Sequence, residues 1–269
     1  MNVTSTHTTI DKHKRNILFI ILSGIFLTNA LLAELIGVKI FSAEATAGFP
    51  PAQIPLFGEF ILDFNLTAGA VIWPVVFITT DVINEYFGKR GVKQISYLTV
   101  MLIAYSFIVI YLVTELAPAS FWIDVNSMDA AGNTFNIDFA FRKIFRQGLG
   151  IIIGSLFAFL IGQLLDVIVF QKLRSITGNK KIWLRATGST LVSQLVDSFV
   201  VLFIAFYVFG NWPITQILAV GIVNYIYKFV VAVVLTPLLY IAHYLIDQYL
   251  GKQLAEDMMK EASQNTSLA

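Results

Sequence analysis

The chain of 269 residues has no cysteine, which removes disulfides, thiolate catalysis and Cys-ligated metal from consideration. It is also poor in charge. Lys and Arg number 18 against 17 Asp and Glu, for a net charge of +1, and that balance gives no reason to expect nucleic acid as a partner. Of three histidines, His7 and His13 lie in a polar N-terminal head, and His243 falls near the end of the last apolar segment, where a surface role is expected. There is no His-Glu-x-x-His zinc helix, no Gly-rich phosphate loop and no Gly-x-Ser-x-Gly nucleophile turn. Intramembrane hydrolysis is therefore disfavoured, and neither an enzyme nor a cofactor is expected.

What remains is apolar. Hydrophobic residues make up 57% and mean hydropathy is +0.76, more apolar surface than one soluble core of this size hides. Windows long enough to cross about 30 Å of hydrocarbon occur near 16–40, 66–88, 94–116, 148–170, 184–209 and 214–246. The fold class expected is all-α, a polytopic membrane protein with six transmembrane helices. Lys12, Lys14 and Arg15 precede the first span, Lys89, Arg90 and Lys93 separate spans 2 and 3, and Lys172, Arg174, Lys180 and Lys181 separate spans 4 and 5. By the positive-inside rule these segments are cytoplasmic, so both the N-terminus and the C-terminus are expected inside. The organisation read is a cytoplasmic tail over 1–15, a transmembrane unit over 16–249 and a cytoplasmic C-terminal tail over 250–269, the last a solvated helix end that frays.

The outer loop 41–65 contains Pro50, Pro51, Pro55, Gly48 and Gly58, which forbid a continued helix. Its apolar part, Ile54 to Phe64 around Gly58-Glu59, suits a small hairpin or re-entrant lid. The second outer loop, 117–147, ends with Phe139, Phe141, Ile144 and Phe145 among Arg142, Lys143 and Arg146, the pattern of a helix lying in the interface. Trp73, Trp122, Trp183 and Trp212 fall mainly near span ends, as an aromatic belt requires. One internal echo stands out: Gln163-Leu164-Leu165-Asp166 in span 4 and Gln194-Leu195-Val196-Asp197 in span 5. Consecutive spans run in opposite directions, so the echo places an amide and a carboxylate in inverted relation, as in inverted-repeat transporters.

Polar residues inside spans carry the function. Residues at i, i+3 and i+4 share a helix face, which groups Asp81, Asn84 and Glu85, Gln163 with Asp166, Gln194 with Asp197, and Asn224 with Lys228. Span 1 adds Asn29 and Glu34. The amides have two readings, as hydrogen-bonding glue between helices, at roughly 0.6 to 2 kcal/mol each, or as ligand contacts. The charges demand more, because Asp or Lys at a helix centre costs about 2.5 to 3.5 kcal/mol on insertion scales. Lys228 is placed to neutralise Asp197 or Asp81, and Asp81 and Glu85 to form an interfacial clasp with Lys89 or Arg90; each group is otherwise a ligand or proton site.

Thr80-Asp81-Val82-Ile83-Asn84-Glu85-Tyr86-Phe87-Gly88-Lys89, Trp183-Leu184-Arg185, Ser189-Thr190, Gln194-Leu195-Val196-Asp197-Ser198 and Tyr227-Lys228 with Thr236-Pro237-Leu238-Leu239-Tyr240 resemble the queuosine precursor transporter family, also called the vitamin uptake transporter (VUT) family. The similarity covers about 16–246. It implies a bacterial inner-membrane importer of 7-cyano-7-deazaguanine or 7-aminomethyl-7-deazaguanine, with the deazapurine and the lipid bilayer as partners and a homo-oligomer left open. A deazaguanine offers an N–H and an NH₂ side by side, which one carboxylate accepts in parallel, while its carbonyl wants a donor. The residues expected to bind it are Asp81, Asn84, Glu85, Gln163, Asp166, Gln194, Asp197, Asn224 and Lys228, with Asp81 and Glu85 favoured for the substrate and Asp197–Lys228 as a switchable pair. The competing reading is the substrate-binding component of an energy-coupling-factor importer, which binds its ligand but needs an ATPase partner to move it.

Overall fold

The computed structural model describes residues 2–56, 60–146, 148–178 and 181–264. About four-fifths of them are helical: α1 (Asn2–Ile36), α2 (Ala43–Thr46), α3 (Trp73–Thr114), α4 (Ser120–Val125), α5 (Ile137–Phe145), α6 (Leu149–Thr177), α7 (Ile182–Leu202) with a π-helical continuation (Phe203–Val208), α8 (Ile214–Leu250) and α9 (Lys252–Gln264). Among the described residues five helical stretches are long and apolar enough to cross a bilayer: Ile10–Ile36, Trp73–Thr114, Ile137–Thr177, Ile182–Val208 and Ile214–Leu250. The protein is thus an all-α, multi-pass membrane protein.

The difference from six separate spans lies in α3. Its 42 residues would run about 63 Å at 1.5 Å per residue if straight, twice the hydrocarbon thickness. Gly88 interrupts it, with φ 66° and ψ −171°, a conformation essentially reserved for glycine. The two windows at 66–88 and 94–116 are therefore two limbs of one interrupted helix, and Lys89 to Lys93 continue as helix instead of looping. Against Gly88 packs α9, whose Ala262 carbonyl would lie 3.0 Å from an added Cβ. Gly88→Ala is expected to destabilise the protein by about 2 to 3 kcal/mol from backbone strain alone, and to release α9, read as faster proteolysis near residue 251.

Helix α1 already includes residues 2–15, the segment read as a tail. The 250–269 segment, expected to be solvated and frayed, forms α9 up to Gln264 and buries Ala255, Met258 and Ala262. Its period explains this: those three positions recur every three or four residues and make one apolar stripe on an otherwise charged helix. Arg15 on α1 pairs with Glu261 on α9 at 2.8 Å.

Helices α6 and α7 are joined by residues 178–181, so they lie antiparallel. The packing is set by a stripe at four-residue spacing on α6, Gly150, Gly154, Ala158 and Gly162. An added Cβ at Gly150 would sit 2.4 Å from Phe209, at Gly154 3.1 Å from the Val201 carbonyl, and at Gly162 3.6 Å from the Asp197 Cβ. In lipid, where apolar burial gives helices no reason to associate, small residues of this kind let backbones approach closely. One turn further along, the Ser193 hydroxyl donates to Asp166 Oδ1 at 3.2 Å. The echo between the two spans thus becomes reciprocal contact: each Asp faces the residue just before the partner's Gln.

Residues 40–56 and 60–67 fold over one end. β1 (Ile40–Ser42) pairs antiparallel with β4 (Asn65–Thr67), and β2 (Ile54–Leu56) with β3 (Phe60–Leu62). The expected hairpin is present; Gly58-Glu59 lie outside the described residues. Glu44 ties this lid together. Its carboxylate accepts from the Phe64 N–H at 2.6 Å, the Ala52 N–H at 3.3 Å and the Ser42 hydroxyl at 3.0 Å. The hydrogen bond from Phe64 is the chief reason its pKa falls below the ordinary 4.5. A lowered carboxylate pKa stabilises the folded lid above the unfolded value and stops doing so as pH falls through the folded one. The protection of the Phe64 and Ala52 amides, their hydrogen exchange relative to the intrinsic rate at each pH, is therefore expected to fall as pH drops below 4.5, and Glu44→Gln to show that loosened lid already at neutral pH.

Candidate functional site

The lid roofs a cavity of about 690 Å³, within the range of small-molecule sites. The exposed Ile40 and Ile61, with Asp63 and Thr67 of the lid, line its mouth together with Lys143 of α5 and Arg146 just beyond it; the buried Thr80, Asp166 and Thr190 line its inner wall. The expected interface helix is α5, started by Asn136, whose side chain accepts from the Phe139 N–H. Arg146 is held at the mouth by Glu115 at 2.6 Å and lies over the Tyr111 ring at 4.4 Å.

Six of the nine anticipated residues line this cavity: Gln163, Asp166, Gln194, Asp197, Asn224 and Lys228. Asp166 is 5% exposed and Gln194 6%. Hydroxyls of Ser189, Thr190 and Ser193 surround Asp166, yet its Oδ2 has no hydrogen-bond partner, and neither has Gln194 Oε1. Buried polar atoms are rarely left unmatched, and both of these acceptors belong to residues of the cavity wall. Lys228 donates to Asp197 Oδ2, both side chains about four-fifths buried. Of the two carboxylates open to Lys228 in the sequence, Asp197 is the one it meets. Gln163 accepts from the Thr80 hydroxyl at 3.3 Å, which leaves its NH₂ end as the donor.

The other three anticipated residues stand elsewhere. Asp81 lines a separate void of about 30 Å³ with Thr187, Thr190 and Thr236, its Oδ1 unpartnered; a void of that volume holds about one water. Asn84 and Glu85 line neither space. Asn84 accepts from Gln171 of α6 at 2.6 Å. Glu85 is fully buried and receives two parallel bonds from Arg185 of α7, Nε to Oε2 at 3.0 Å and a terminal nitrogen to Oε1 at 2.6 Å. Arg174 of α6 stands 3.5 Å from the same carboxylate, donates to the Glu85 carbonyl at 3.1 Å and reaches the Met259 carbonyl of α9 at 2.6 Å. Tyr86 donates to Asp247 of α8 at 2.7 Å and meets His243 at 3.0 Å. Three consecutive residues thus fasten α3 to α6, α7 and α8 immediately before the Gly88 break. The clasp anticipated with Lys89 or Arg90 is made instead by Arg185 and Arg174, and His243 is buried, 8% exposed, rather than on the surface.

Residues 67–242 match the protein family described as "Putative vitamin uptake transporter". The chain belongs to this family. It is 32% identical over 186 residues to the "Probable queuosine precursor transporter" of Bacillus subtilis (strain 168), covering 68% of this chain and 75% of that protein. A protein of the same printed name from Haemophilus influenzae (strain ATCC 51907 / DSM 11121 / KW20 / Rd) is 32% identical over 173 residues, 64% of this chain and 66% of the relative. The "Queuosine precursor transporter" of Escherichia coli (strain K12) is 28% identical over 180 residues, 65% and 71% respectively. No solved structure matches. As a member of an uptake-transporter family, with relatives named as transporters, this membrane protein is a transporter and not an enzyme.

Three contributors to these sites escape sequence reasoning. Arg174 reads as a topology-setting charge at a basic turn, and Arg185, inside the apolar stretch of span 5, stands out only as part of the family motif. Thr80, next to the conspicuous Asp81, reaches the cavity because it is the one of the two whose direction faces α6.

Proposed function

We propose that this transporter imports queuosine precursors, 7-cyano-7-deazaguanine or 7-aminomethyl-7-deazaguanine, across a bacterial inner membrane, with six spans formed by dividing α3 at Gly88 and with both termini cytoplasmic. The observation that carries this reading is the pair of unmatched acceptors, Asp166 Oδ2 and Gln194 Oε1, on the wall of a roughly purine-accommodating cavity. The guanine edge donates an N–H and an NH₂, and a single carboxylate accepts both in parallel. Asp166 takes that role, with Gln194 as a further acceptor. The base carbonyl accepts from the NH₂ of Gln163 or of Asn224. Trp73, Phe77 and Tyr227 on the same wall supply faces for a flat ring.

The conformation is outward-facing in this reading. The cavity is reached under the lid, while the far end is closed by the Glu85–Arg185–Arg174 cluster and α9. Asp197–Lys228 is the switchable pair, since a ligand group that displaces Lys228 frees α8 from α7. Asn84 and Glu85 act as helix fasteners, and Asp81, over its water-sized void beneath Thr190, is the carboxylate suited to carry a coupling proton. The test is uptake of labelled precursor into proteoliposomes holding this chain alone. Accumulation above protein-free vesicles supports the reading; saturable binding without uptake would instead assign the chain as the binding subunit of a larger importer.

A further inference from the structure

Helix α9 lies across the end of the molecule away from the lid, and one side chain joins it to the buried ion cluster there. Arg174 of α6 donates from one terminal nitrogen to the Glu85 carbonyl of α3 at 3.1 Å and from the other to the Met259 carbonyl of α9 at 2.6 Å; the second nitrogen also stands 3.5 Å from the Glu85 carboxylate. The guanidinium is a rigid planar fork, so its two ends move together. A displacement of α6 that parts Arg174 from Glu85 therefore withdraws it from α9 in the same step.

The joint between α8 and α9 allows that release. It is the single residue Gly251, at φ 86° and ψ 148°, with open space where a Cβ would stand; hinges are a few element-terminal residues of this kind. On the near side of the joint Leu250 is 4% exposed and its carbonyl accepts from Lys14 of α1 at 3.4 Å, which holds α8 in place while the chain beyond it turns. On the far side, Ala262 rests on the Gly88 break, a glycine against an alanine, which interlock no side chains. The Arg15–Glu261 pair has side chains 37% and 53% exposed, and pairs of that sort contribute at most about 1 kcal/mol. Such an element opens as a local unit well before the whole protein does.

We infer that α9 is the gate on the releasing side of the carrier, hinged at Gly251, and that Arg174 is the positioning residue that ties its opening to the parting of α6 from Glu85. The inference rests on the import reading given above for the direction of release and for the compound used as a probe. Closed, α9 covers the Glu85 cluster and the cavity is reached from the lid alone; swung away, it uncovers the cluster at the moment Arg174 leaves it.

The chain has no cysteine, so introduced thiols are unique. In the full chain carrying Arg15→Cys and Glu261→Cys, bridging the two thiols with a bismaleimide after reconstitution is expected to cut initial uptake of labelled 7-cyano-7-deazaguanine about tenfold or more, since a blocked opening step limits turnover, and to leave its equilibrium binding within error. Capping both thiols with N-ethylmaleimide leaves uptake unchanged. A bridged protein that imports as fast as the capped one overturns the gate. Met258, 1% exposed on the seated face of α9, reports the motion without transport: Met258→Cys is expected to react with a maleimide faster than the protein unfolds, and faster again with 7-cyano-7-deazaguanine bound. Adding Arg174→Lys, which keeps the charge and loses the fork, is expected to make labelling fast with or without the compound, a loss of ligand response that a merely structural arginine does not produce. Labelling confined to the rate of global unfolding overturns the hinge, and a ligand response retained by the lysine variant overturns the role of Arg174. If the wild type neither binds nor imports the compound, the import reading falls, while labelling of the unliganded protein still decides whether α9 opens.

Discussion

Replacing Asp166 with asparagine is expected to reduce precursor uptake about a hundredfold or more, with the protein still folded. The carboxylate accepts both donors of the guanine edge, and hydrogen bonds to a charged group are worth about 1.5 to 3 kcal/mol each, so losing two amounts to at least two powers of ten. Asparagine keeps the shape but turns an NH₂ toward the incoming donors, adding repulsion to the loss. Stability should move the other way or not at all, because the wild type holds a buried carboxylate oxygen without a partner and the amide is cheaper to bury. The pair of measurements is labelled uptake and thermal unfolding in the same membrane mimic. Uptake within threefold of wild type would remove Asp166 from the substrate site.

Glu85→Gln is expected to act on the fold. Removing one partner from a buried ion pair costs about 3 to 5 kcal/mol, since the other charge stays buried and uncompensated; here two guanidiniums would be stranded, both 3% exposed or less. Arg185→Met should cost a similar amount, and the double variant much less than the sum, because contacting partners are not additive. A double-mutant cycle on unfolding free energy measures this directly. Additive losses would show that Glu85 and Arg185 contribute separately, and would return Glu85 to the list of ligand contacts.

The contrast between Asp166 and Glu85 explains how far the sequence could be read. Both are acids inside apolar spans, and the cost of such placement flags each as purposeful. The cost does not say which purpose. Lys228–Asp197 is legible because each is the lone charge on its stretch of helix, leaving few partners to choose from. Glu85 is harder: Lys89 and Arg90 are its neighbours along the chain, whereas Arg185 lies a hundred residues on and is brought near only by packing. Its basic surroundings, Lys180 and Lys181, make it look like a cytoplasmic loop charge. The break in α3 shows the same limit. A basic stretch after Gly88 reads as a loop between spans, yet one glycine with a positive φ redirects the chain and the helix resumes at once. The tight α6–α7 pairing was written plainly in four-residue spacing, but as small residues, which hydropathy windows count only as mildly apolar. The lid and α9 carry short-range signals that fix their local form, while what they cover depends on tertiary contact.

The two ends of the molecule are fastened unequally. At the α9 end a buried carboxylate, two arginines and a backbone carbonyl hold four elements together, whereas the ion pair described at the mouth, Arg146 with Glu115, is one-third to one-half exposed. An empty carrier so built rests with its lid side accessible, and microscopic reversibility then dictates kinetic asymmetry. Half-saturation measured from the lid side is expected at a higher concentration than from the α9 side, with maximal velocity higher in the same ratio because the emptied carrier returns readily to the lid side, so a passive cycle still reaches the same equilibrium.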